Sequence, residues 1–121
     1  MSSKIDLDIK SCSSPDIDVQ RWIPTDPQEV CFLLELDIGL LGNHRSDVFS
    51  LVVATPKGLT AKQKRPVLVE RATVVVSEYS WPFVIRAIED IVRRCEGRNW
   101  NESVLKLQRY FRWEYEDYSM D

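Results

Sequence analysis

The chain reads as an α+β domain: a mostly antiparallel sheet of four to five strands, two C-terminal amphipathic helices packed on one face, and a final edge strand. Three observations predict it. Alternation of apolar and polar residues with period 2 dominates the first half, helical periodicity begins only after Ser80-Trp81-Pro82, and the strands follow one another through short turn-rich connections. Consecutive strands with short links favour an antiparallel meander, and helices gathered late in the sequence favour α+β over α/β. With 121 residues, positions 1–121 form one domain that buries roughly two thirds of its unfolded surface.

The first strand is marked by Ile5, Leu7 and Ile9 alternating with Lys4, Asp6, Asp8 and Lys10. Ser11 to Gln28 reads as a loop, with a Ser13-Ser14-Pro15-Asp16 turn cluster and Pro24 and Pro27 around Trp22. Trp22-Ile23 either pins this loop to the core or stands exposed as a binding anchor. Val30, Phe32, Leu34, Leu36, Ile38 and Leu40 form the apolar face of a long second strand. Leu41 to Ser46 reads as a hairpin turn in which Gly42 and Asn43 tolerate positive φ. Asp47 to Thr55, apolar on both faces, is expected to be a central strand. Pro56-Lys57-Gly58 breaks it, Leu59 to Arg65 makes one helical turn, and the β-branched run Val67 to Ser77 is the fourth strand.

Val84, Ile85, Ile88, Ile91, Val92 and Cys95 then fall on one helical stripe, which Gly97 is expected to end through a positive φ. Asn99 and Glu102 read as a capping box for the next helix, whose Val104, Leu107 and Phe111 face one way. The closing stretch alternates Phe111, Trp113 and Tyr115 with Arg112, Glu114 and Glu116, a strand docking three aromatics on the core and showing carboxylates to water.

Charge is segregated along the chain. Residues 1–56 carry nine acids against four bases (−5), residues 57–113 twelve bases against six acids (+6), and the last eight residues add −4, giving the formal −3. That balance speaks against a nucleic-acid binder, which usually carries a clustered basic face. No apolar run approaches the ~20 residues that span a bilayer, so no membrane association is expected. The opening Met-Ser-Ser-Lys-Ile-Asp places an acid where a signal peptide needs an apolar region, which makes a cytoplasmic location the expectation. The odd set Cys12, Cys31 and Cys95 lacks C-x-x-C spacing and reads as free thiols.

The chemical inventory is short. There is no Gly-rich phosphate loop, metal-ligand cluster or nucleophile elbow in the sequence, so neither catalytic residues, metal ligands nor a cofactor site is assigned. His44 is the single imidazole and sits in a turn; general-base use would require a positioned carboxylate and a cleft. Lys57, Lys62, Lys64 and Arg65 read as a solvated connection. Glu114, Glu116 and Asp117 on one strand do not make a metal site. They discourage edge-to-edge aggregation or recognise a basic partner, with Tyr115 and Tyr118 as amphipathic contacts.

Trp113-Glu114-Tyr115-Glu116-Asp117-Tyr118 resembles the ending of the immunity protein 8 family of bacterial polymorphic-toxin systems. Ser14-Pro15-Asp16, Thr55-Pro56-Lys57, Cys95-Glu96-Gly97 and Trp100 are similar in order and spacing, so the resemblance spans nearly the whole chain. Gly58 departs from it, since the family often has an apolar or aromatic residue after Thr-Pro-Lys. The resemblance implies a small cytosolic protein, without catalysis or cofactor, that binds and occludes the C-terminal domain of a cognate toxin. If that toxin is a nuclease, its groove is basic, and Glu114, Glu116, Asp117 and Tyr118, with Glu35 and Asp37 of the second strand, are the expected contact residues. An added edge strand that can pair with its copy makes the expected state a monomer or weak dimer. The competing classes are a cytosolic adaptor domain with a different protein partner and a small enzyme using His44 or the terminal carboxylates.

Overall fold

The computed structural model describes residues 3–62 and 71–116. The elements are β1 (Leu7–Ser13), β2 (Cys31–Leu40), β3 (Asp47–Ala54), α1 (Pro56–Lys62), β4 (Thr73–Val75), α2 (Trp81–Arg94), α3 (Trp100–Leu107) and β5 (Arg112–Trp113). The sheet runs β1-β2-β3-β4, with β5 paired to β3 beside β4. The α+β architecture follows the pattern read from the sequence.

Strand β3 is central, as the sequence pattern predicts. One edge pairs with β2 from Asp47 to Ala54. The other edge is divided: Phe49 and Ser50 pair antiparallel with Trp113 and Arg112 of β5, while Val52 to Ala54 pair parallel with Thr73 to Val75 of β4. The parallel pairing departs from a pure meander, and its cause is local. Residues 56–62 form a helix, so the chain crosses over before returning instead of turning back in a hairpin. The expected strand 67–77 is three residues long where described, and residues 63–70 lie outside the described residues.

Pro56 begins α1, where its missing N–H costs nothing. The preceding Thr55 is fully buried; its hydroxyl accepts the Gly58 N–H at 3.0 Å as a helix cap and the Val30 N–H at 2.9 Å. Gly58 then lies against the backbone of Val30, where a β-carbon would collide. This close approach seats α1 on the start of β2.

Alternation along β2 and β3 sends Phe32, Leu34, Leu36, Ile38, Phe49, Leu51 and Val53 to one face, where they share a core with Val84, Ile88 and Val92 of α2 and Val104 and Leu107 of α3. Both C-terminal helices thus serve the same face. The first strand reaches farther than its alternation indicated: a register shift between Ile9 and Ser11 displaces Lys10 and lets Ser11-Cys12-Ser13 continue the pairing. Trp22 settles the role of its loop by packing on Phe32 at 5.9 Å and Tyr79 at 5.3 Å between ring centroids, while Ile23 points outward.

Helix ends differ in detail from the sequence reading. Gly97 does not take a positive φ; the only glycine that does is Gly42. At Gly97 an added β-carbon would lie 2.9 Å from the Glu102 Cγ, so the Glu102 side chain would have to shift. Asn99 accepts the Glu102 N–H at 2.8 Å, whereas the Glu102 carboxylate faces Arg98 at 3.4 Å and Lys106 at 3.7 Å. The closing segment is a two-residue strand followed by a turn. Phe111 is buried, Trp113 is half-buried and Tyr115 is exposed, so the core takes one of the three aromatics whole. The Trp113 Nε1–H donates to Asp47 at 3.0 Å.

Two substitutions test this account by chemical denaturation. Thr55→Val keeps the shape but strands two backbone donors, and we expect a loss of about 2–3 kcal/mol. Phe111→Ala empties a fully enclosed ring site and should cost about 3–5 kcal/mol.

Candidate functional site

The face of the sheet turned away from α2 and α3 carries Leu33, Glu35 and Asp37 of β2 and Val48, Ser50 and Val52 of β3, all half-buried. Glu35 and Asp37 lie two residues apart on β2 and therefore point to this same face. Register sets their neighbours: Glu35 stands between Ser13 of β1 and Ser50 of β3, and Asp37 between Ser11 and Val48. Ser50 in turn opposes Arg112 of β5, so Ser13, Glu35, Ser50 and Arg112 form one row across four strands. The Ser11 hydroxyl donates to the Asp37 carboxylate and fixes its direction.

The acidic ending divides into parts with different roles. Glu114 is exposed, and its N–H donates to the Val48 carbonyl at 3.0 Å, which sets it beside the Asp37 row. Glu116 is half-buried and ion-paired with Arg71, whose guanidinium also donates to the Gln108 carbonyl at 3.2 Å. That pair ties the closing turn to the residue before Ala72, which holds a left-handed φ of 58° at the entry to β4. Asp117 and Tyr118 lie outside the described residues. The structure thus gathers Glu35, Asp37 and Glu114 at one end of one sheet face and gives Glu116 an internal partner.

Sequence reasoning missed Ser11, Ser13, Ser50 and Arg112 as members of that face. The signal was the Ser-Cys-Ser alternation after Lys10, which resumes the strand period once a one-residue slip is allowed.

Other titratable groups are poor candidates for chemistry. His44 is exposed in the β2–β3 turn, where the Asn43 side chain accepts the Arg45 N–H. Lys57 pairs with Asp26 at 3.0 Å. The Asp26 carboxyl is held below its ordinary range, first by the Gln28 N–H and then by Lys57. The Tyr79 hydroxyl is buried without a hydrogen-bond partner among the described residues, and burial pushes its phenol up. Burial raises all three thiols; Cys12 reaches about 11, with Glu89 and Asp37 adding to the effect. Among the described residues no grouping of His, Cys, Asp and Glu could hold a metal ion. No described helix is long and apolar enough to cross a membrane.

The Cys12 shift has a direct readout. A thiol moved from 9.0 to about 11 holds roughly a hundredfold less thiolate at pH 8. Iodoacetamide should accordingly modify Cys12 about two orders of magnitude more slowly in the folded protein than in urea, by mass spectrometry. The raised value favours folding below pH 9, and that contribution is lost as pH rises through 11.

Comparison with curated proteins and with solved structures finds no match. The family model described as Immunity protein 8 matches residues 7–118, which reaches from the first residue of β1 past the end of β5. Over that span, the chain belongs to the immunity protein 8 family.

Proposed function

We propose that this protein binds the C-terminal domain of a cognate bacterial toxin in the cytoplasm and neutralises it by occlusion, without catalysis or a cofactor. Membership of the immunity protein 8 family over residues 7–118 is the observation that carries this reading. The arrangement of the sheet supports a particular contact. A sheet face turned away from α2 and α3, with Glu35, Asp37 and Glu114 at one end, suits a toxin whose substrate groove is basic, as in a nuclease. Charges fixed on strands keep their directions before the partner arrives, and this limits the ordering that binding must impose. Asp117 and Tyr118 would extend the same contact from the chain's last residues. Glu116 contributes through its ion pair with Arg71 by holding the turn that presents Glu114.

The functional test is co-expression: cells carrying the neighbouring gene's toxin domain should survive when this chain is present, and the two should co-purify. Reversing charge as Glu35→Arg/Asp37→Arg should slow association with a basic-grooved toxin at least tenfold at low salt and flatten its salt dependence, by stopped-flow fluorescence. Glu116→Gln should change that rate less than twofold. Unchanged association for the double variant would remove the sheet face from the contact.

A further inference from the structure

Helix α2 buries one apolar stripe in the core and exposes on its other side a row that mixes apolar and charged side chains. Val84, Ile88 and Val92 are buried against the sheet. On the outer side Phe83, Ala87, Asp90 and Arg94 recur at i, i+4, i+7 and i+11, with Arg86 beside them, and all five are exposed. Phe83 keeps 70% of its surface in water in the first turn of a well-formed helix. At the other end the Arg94 guanidinium lies 5.9 Å from the centroid of Tyr110, which carries the stripe onto the residues after α3.

We propose that this outer stripe docks an acidic amphipathic helix of a protein partner. Charge selects the acidic class: between residues 81 and 110 the exposed charged side chains are Arg86, Arg93, Arg94, Arg98 and Arg109 against Glu89 and Asp90. The choice of base points to contact rather than solubility. After residue 70 the chain uses seven arginines and one lysine, Lys106, which faces Glu102. Arginine and aromatic residues are enriched at protein interfaces and lysine is depleted. Phe83 and Ala87 offer apolar contact that a polypeptide can match and a phosphate backbone cannot. Their helical spacing fits a helix laid alongside, and the small Ala87 permits the axes to approach to about 8–10 Å. From Phe83 to Arg94 the stripe runs about 16 Å, or three turns.

This surface lies across the sheet from Glu35 and Asp37, so both can be occupied at once. It does not rest on the immunity reading, and its test is separate. The probe is a fluorescein-labelled peptide of about 18 residues, rich in Glu with Leu at i, i+4, i+7 and i+11, beside a scrambled version and a single-stranded oligonucleotide of equal charge. Anisotropy should show saturable, salt-weakened binding of the ordered peptide to the wild-type chain. Affinity should fall at least tenfold for Arg86→Glu/Arg94→Glu and several-fold for Phe83→Ala, and stay unchanged for Glu35→Arg/Asp37→Arg. The substituted side chains are exposed, and circular dichroism confirms that each variant folds. Equal binding by wild type and the arginine variant, equal binding of the scrambled peptide, or tighter binding of the oligonucleotide would overturn the proposal. So would self-association of the chain alone that the arginine variant abolishes in sedimentation, since a second copy would then be the occupant.

Discussion

The divided outer edge of β3 is the constraint on which the other elements depend. β3 lies inside the sheet, and β2 can pair with only one of its edges. The remaining edge is completed from two distant parts of the chain, β4 above and β5 below. Each graft needs its own anchor. For β4 it is the α1 crossover, seated on Val30 through the buried Thr55 hydroxyl and the bare backbone of Gly58. For β5 it is Phe111 in the core together with the Trp113–Asp47 hydrogen bond. The Arg71–Glu116 ion pair then links the two grafts to each other. Partly exposed, it is worth little in isolation, but it joins segments that reach the same strand independently.

Two chemically unlike surfaces follow from this plan. With α2 and α3 on one side of the sheet, Glu35 and Asp37 of β2 are left on the other, and the segregation of charge along the chain becomes in part a segregation in space. The acids of β2 lie on the face turned away from α2 and α3, and the exposed arginines of α2 lie on the outside of the helical layer. The first surface carries its charges on strands. The second is ridged and mixes guanidinium groups with exposed rings. Such surfaces suit partners of opposite charge and different shape.

Much of this was legible in the residues. Strand β2, strand β3 and helix α2 follow directly from period-2 and period-3.6 spacing, because in each a continuous apolar face had to be buried. The misreadings share a cause: a local signal was overruled by a contact distant in sequence. Ser11 to Ser13 resemble loop residues in isolation and become strand because β2 continues opposite them. Gly97 resembles a helix stop but has no positive φ, and instead gives the Glu102 side chain room. Tyr115 continues the alternation of Phe111 and Trp113, yet the chain turns after two paired residues and leaves it exposed. The candidate site was half visible. Glu35 and Asp37 could be placed by alternation, but the serine row and Arg112 beside them depend on register, which no single segment encodes.

The order in which these pieces leave the ribosome gives β5 one more role. Ala54 completes β3, but the residues that close its lower edge, Arg112 and Trp113, are made 58 to 59 positions later. At roughly 5–20 residues per second this leaves an interval of roughly 3–12 s in which a nascent chain offers an unpaired edge at Phe49 and Ser50. Completion of the sheet therefore marks completion of synthesis to residue 113. A chain interrupted before that point would be distinguishable to proteases and chaperones by an open central strand rather than by a missing tail.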